Sequence, residues 1–181
     1  MKILSIDPTP NPAARSFRLD APIVSGPPIH IERGSPQAAG NPVAEELLGI
    51  NDVRFVYLGK DFVTVALAAA EAWSGGEAAI KAALEKALVL LEGKPIKSSP
   101  PPPPPTDDLL DRINSVLDLR VRPALANDGG GLEVIGLDGY DLSIRYQGAC
   151  GGCPHAATGT LRAIQNFLRS EVDPNLNVIP A

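Results

Sequence analysis

Six consecutive prolines, Pro100 to Pro105, constrain this chain more than any other feature. Each proline lacks a backbone N–H and holds φ near −65°, so neither an α-helix nor a central strand can run through such a stretch. It adopts polyproline II at about 3.1 Å per residue, a stiff spacer of roughly 20 Å. Lys97-Ser98-Ser99 precedes it and Thr106-Asp107-Asp108 follows, polar flanks suited to a linker. The 181 residues therefore divide into two halves of about 90 residues or fewer, each long enough for its own small core. We expect a first domain over 1–92, a linker over 93–106 and a second domain over 107–181. A docking motif for a proline-reading domain is the functional alternative for the run, and the spacer is the simpler reading.

Both halves read as α+β. In the first, Lys2 to Ile6 and Ser16 to Leu19 suit strands, and the segment from 21 to 41 is rich in Pro, Gly and Ser with one strand at Ile29 to Glu32. Pro42 opens a short helix through Leu48. Val53 to Leu58 and Phe62 to Leu67 alternate around Gly59-Lys60-Asp61 as a hairpin does. Ser74-Gly75-Gly76-Glu77 matches a capping box, and Ile80, Ala83, Leu84, Ala87, Leu88 and Leu91 follow at helical period over about 75–91.

In the second half, Thr106 suits an N-cap, and Leu109, Ile113, Val116, Leu117, Val121 and Leu125 form a stripe along a helix that Pro123 must kink, since its ring meets the carbonyl of Leu119. Asn127-Asp128-Gly129-Gly130-Gly131 ends that helix. Leu132 to Leu137 and Tyr140 to Tyr146 form strands around a two-residue Asp138-Gly139 turn. Ala157, Leu161, Ile164, Leu168 and Val172 mark the last helix, and Leu176 to Ile179 adds a short strand after Asp173-Pro174. The expected domain is a short sheet packed by two helices, in the order α-β-β-α.

The only two cysteines, Cys150 and Cys153, lie between a strand and a helix in Gly148-Ala149-Cys150-Gly151-Gly152-Cys153-Pro154. Pro154 suits the first helical position, which puts Cys153 at the helix start, where the dipole favours a thiolate and lowers its pKa. The glycines let the loop turn sharply and present backbone N–H groups to an anionic ligand. Three chemistries compete. An iron–sulfur cluster wants four thiolates, so two chains must share it. A zinc ion takes four cysteines from two chains in the same way. Thiol–disulfide exchange uses a low-pKa cysteine at a helix start, but its usual setting is a βαβ unit, whereas this loop follows an antiparallel hairpin.

These residues carry a family resemblance. Leu117 to Pro123, Asp128-Gly129-Gly130, and Gln147-Gly148-Ala149-Cys150-x-Gly152-Cys153-Pro154 followed by Thr160-Leu161 resemble the NifU C-terminal domain of Nfu-type proteins, over about 109–179. Thr9-Pro10-Asn11-Pro12, Asn41-Pro42-Val43-Ala44, Val53-Arg54-Phe55-Val56 and Gly59-Lys60-Asp61-Phe62-Val63-Thr64-Val65 are similar to the Nfu N-terminal domain. The family's opening strand reads differently at Ala13-Ala14-Arg15-Ser16-Phe17, and the proline run is not a family feature. The resemblance implies a cluster scaffold or carrier, not an enzyme. Cys150 and Cys153 would be its ligands, a 4Fe-4S cluster shared between two chains its cargo, and apo iron–sulfur clients and upstream assembly proteins its partners.

Other residues read more simply. His155 suits a solvated first helical turn, His30 has no evident partner, and Asp128 belongs to a turn, since no Gly-Lys-Ser/Thr accompanies its glycines. Trp73 reads as packed, Thr158, Gly159 and Thr160 as small residues admitting close helix packing, and Arg120 and Arg122 as a solvated face. A formal charge of −5 without a basic stripe excludes a general nucleic-acid binder. No apolar run approaches the roughly 18 residues of a membrane span. MKILSIDPTPNP resembles neither a signal peptide nor a transit peptide, and two closely spaced cysteines suit a reducing compartment, so the expected location is cytoplasmic.

Overall fold

The computed structural model describes residues 1–98, 108–151 and 159–181. The proline run, Thr106, Gly152, Cys153, Pro154, His155, Ala157 and Thr158 lie outside the described residues. The chain divides into two compact units, Met1–Pro100 and Pro101–Ala181, and both mix helices and strands, as the α+β expectation requires. Among the described residues, no helix is long and apolar enough to cross a membrane.

The first unit runs β1 (Ile3–Pro8), β2 (Ala14–Leu19), β3 (Val24–Ser25), β4 (Ile29–Glu32), α1 (Pro42–Leu48), β5 (Val53–Leu58), β6 (Phe62–Leu67), α2 (Trp73–Leu90) and β7 (Ile96–Lys97). Five strands form an antiparallel sheet in the order β1-β2-β6-β5-β4. Alternation turns Phe17, Val56, Leu58, Val63 and Val65 to one face, where Val43 and Leu47 of α1 and Ile80, Leu84 and Leu88 of α2 complete the core. Each large apolar side chain so buried contributes about 1.5–3 kcal/mol.

Asn41 caps α1, accepting from the N–H groups of Val43 (3.1 Å) and Ala44 (3.2 Å). The expected capping box of α2 is absent. The helix begins earlier, at Trp73, and the Ser74 hydroxyl donates back to the carbonyl of Glu71 at 2.8 Å instead of capping. Trp73 wins that start because its burial is tertiary. Its indole N–H donates to the Ala13 carbonyl at 2.9 Å, its ring meets Phe17, and the Arg15 guanidinium lies over it. His30, expected without a partner, packs its ring 5.0 Å from Phe55 and stands 3.5 Å from a Glu32 carboxylate oxygen. The short parallel pair β3–β7 went unread in the sequence, since two-residue strands carry no period.

The second unit runs α3 (Asp108–Val116), a π-helical turn over Leu117–Val121, α4 (Arg122–Asn127), β8 (Gly130–Asp138), β9 (Asp141–Gly148), α5 (Leu161–Glu171) and β10 (Asn177–Pro180). Pro123 does not sharply break the helix. The preceding turn widens, and the Arg122 N–H reaches five residues back to the carbonyl of Leu117, which makes room for the proline ring. The sheet order is β10-β9-β8, with β10 parallel and β8 antiparallel to β9. Leu142 and Ile144 from the central strand pack with Leu110, Ile113, Leu117 and Leu125 from the first helical run and with Ile164 and Leu168 from α5. Leu110, not Leu109, is the buried member at the start of α3. The hairpin turn is Gly139-Tyr140, one residue later than expected, because Asp138 pairs with Asp141 and Gly139 takes the positive φ of 58° that the tight turn requires.

Candidate metal centre

The site is built where the β8–β9 ladder runs out. Gly130 and Gly131 were expected in a helix-ending loop, yet they are the first two residues of β8, opposite Gly148 and Gln147. The Ala149 N–H then bonds the Gly129 carbonyl at 3.1 Å, and the Gly151 N–H bonds the Gly148 carbonyl at 3.0 Å. Gly148 makes that reversal with φ at 60°. These two N–H groups are consumed in closing the turn, so neither is presented to an anionic ligand as the sequence suggested.

The turn lays Cys150 across Gly130. A Cβ at residue 130 would sit 2.5 Å from the Cys150 Sγ and 2.9 Å from its backbone nitrogen. The wall behind the sulfur is therefore bare backbone. Ala149 is buried and Cys150 half-buried at the margin of the core, packed on the same apolar cluster as Tyr146 and Leu161. The strand end is braced by Gln147, whose side-chain amide donates to Glu133 at 3.1 Å.

Tyr146 was read only as the end of a strand, and the structure gives it more to do. It continues the inward row of Leu142 and Ile144, which packs its ring against the apolar cluster. Its hydroxyl oxygen is buried and finds no hydrogen-bond partner among the described residues. Burial, and then the nearby negative charge of the Cys150 thiolate, push its pKa up to about 12. Proton loss is thus disfavoured and the O–H persists as a donor. The turn thus presents a half-exposed cysteine sulfur, a wall thinned to glycine and a buried hydroxyl donor without a partner among the described residues.

Cys153, the second expected ligand, is not among the described residues, and neither is His155. No group of three or more His, Cys, Asp or Glu side chains that could hold a metal occurs among the described residues. Asp128 belongs to the turn after α4, its N–H bonded to the Ala124 and Leu125 carbonyls. Arg122 pairs with Asp118 and with Asn114 of its own helical run, as a solvated face would.

Two family models match the chain: "Scaffold protein Nfu/NifU N terminal" over residues 4–89 and "NifU-like domain" over residues 113–179. A Drosophila ananassae protein named NFU1 iron-sulfur cluster scaffold homolog, mitochondrial, is 28% identical over 165 residues, covering 89% of this chain and 58% of the relative. The Arabidopsis thaliana NifU-like protein 4, mitochondrial, is 30% identical over 176 residues, covering 88% of this chain and 59% of the relative. The chain thus spans under two thirds of the length of these curated relatives. A crystal structure of protein SAV1430 from Staphylococcus aureus covers 46% of this chain and 98% of its own at 20% identity, with a TM-score of 0.37, a likeness too distant to inform the site. The cytoplasmic expectation is overturned, since both relatives are named mitochondrial. It rested on the first twelve residues and on the cysteine spacing, and a chain matching little more than half of its relatives carries no evidence about a leader. With an Nfu N-terminal domain followed by a NifU-like domain, this chain belongs to the Nfu family of iron–sulfur cluster scaffolds.

Proposed function

We propose that this chain carries a 4Fe-4S cluster as cargo, held between two copies by Cys150 and Cys153 of each, and passes it to apo iron–sulfur proteins. The observation that carries the reading is arithmetic joined to position. A cluster needs four thiolates and the sequence has two cysteines, one of them half-buried against a glycine wall. A coordination shell split between subunits opens when the subunits part, which makes the cargo exchangeable by an incoming thiolate. The chain catalyses no turnover in this scheme. Upstream assembly proteins load it, client apo-proteins unload it, and the relatives' names point to mitochondria as the setting. The domain limits 1–92, 93–106 and 107–181 belong to the same proposal, with both cysteines in the last.

Anaerobic reconstitution with iron and sulfide tests this. The wild-type chain should take up about two irons and two sulfides per chain, four of each per pair of chains, and turn brown. Cys150→Ala and Cys153→Ala should each abolish uptake while leaving the circular dichroism of the fold unchanged. Full iron content in either variant would contradict the ligand assignment. Half a zinc per chain, without colour, would favour the structural-metal reading instead.

A further inference from the structure

We propose that Tyr146 is a positioning residue for the cargo, its hydroxyl donating a hydrogen bond to sulfur at the Cys150 corner of the bound cluster. The inference rests on the scaffold reading and deepens it.

A buried hydroxyl without a partner is destabilising, and such groups in native proteins call for an explanation. Among the described residues the Tyr146 oxygen is in that position, whereas other polar groups of the same strand end are satisfied. Gln147 donates to Glu133, and Ala149 and Gly151 donate to carbonyls of the turn. The ring is fixed by the core row Leu142, Ile144, Tyr146, so the hydroxyl cannot swing to water without leaving the apolar cluster. Tyr146 and Cys150 pack on the same apolar cluster, and among the described residues Cys150 is the one whose charge the phenol feels. Loading the site places anionic sulfur beside this donor, and hydrogen bonds to sulfur are among the factors that set a cluster's potential and hold its charge. The hydroxyl thus costs stability in the empty chain and recovers it in the loaded one.

Tyr146→Phe keeps the ring and removes only the donor. In the full-length protein, reconstituted with iron and sulfide, the variant should bleach about tenfold faster than wild type when challenged with an iron chelator, the loss expected for a hydrogen bond to a charged acceptor. Its cluster should also show a more negative reduction potential, because a donor that stabilises added negative charge is gone. The empty variant should melt at the same temperature as the empty wild type or higher. A merely structural tyrosine would move both forms in the same direction. Unchanged bleaching and potential, or a lower melting temperature in the empty variant, would overturn the inference. Cys150→Ala separates the two levels. If it takes up no cluster while Tyr146→Phe behaves as wild type, the scaffold reading stands and only the role of Tyr146 falls; if it loads normally, the scaffold reading itself fails.

Discussion

A single methyl group is the smallest probe of how closely the wall behind Cys150 is fitted. At residue 130 it would lie 2.5 Å from the sulfur, which can turn away about χ1, and 2.9 Å from the Cys150 nitrogen, which cannot yield without moving the turn that Ala149 and Gly129 close. Gly130→Ala should therefore cost about 1–3 kcal/mol in chemical denaturation, as overpacking does, and should cut iron uptake sharply while the helical signal persists. Wild-type stability together with wild-type iron content would show that the wall is loose. Cys150 stood out in the sequence as a candidate because sulfur chemistry is announced by residue type and spacing. Gly130 and Tyr146 were not, since their roles depend on the β8–β9 register and on which face of β9 turns inward. A register is a long-range property, and a run of three glycines reads equally well as a loop.

Among elements, those set by local chemistry were readable and those set by packing were not. Pro42 announced the start of α1, and its cap is a local matter of one Asn41 amide oxygen and two N–H groups. Asn41 is buried, so Asn41→Ala leaves two donors without an acceptor and should destabilise the first unit by about 1–2 kcal/mol in urea unfolding. A change below a few tenths would mean that the cap is redundant. The α2 start shows the opposite case. Ser74 and Glu77 satisfy a capping pattern, but the Trp73 ring docks on Phe17 and draws the helix out one residue ahead of it. The turn before Pro123 is a third case. The sequence required a disruption there, and whether a helix kinks or widens depends on what its flanking turns pack against, which the proline alone does not encode.

For the whole molecule, composition spoke more clearly than any element. A run of six consecutive prolines implies two units, and two cysteines in 181 residues would supply half the coordination shell of the proposed cluster. Each unit carries its own apolar cluster, and the unit that holds Cys150 matches the NifU-like model over residues 113–179. Location was not legible, because it is a property of an address and not of a core. The account's central claim concerns stoichiometry between copies, so the native mass of the anaerobically loaded protein tests it most directly. We predict two chains with one cluster of four irons and four sulfides, and collapse to single chains when a chelator removes the iron. A loaded species with the mass of one chain and its full complement of metal would contradict it.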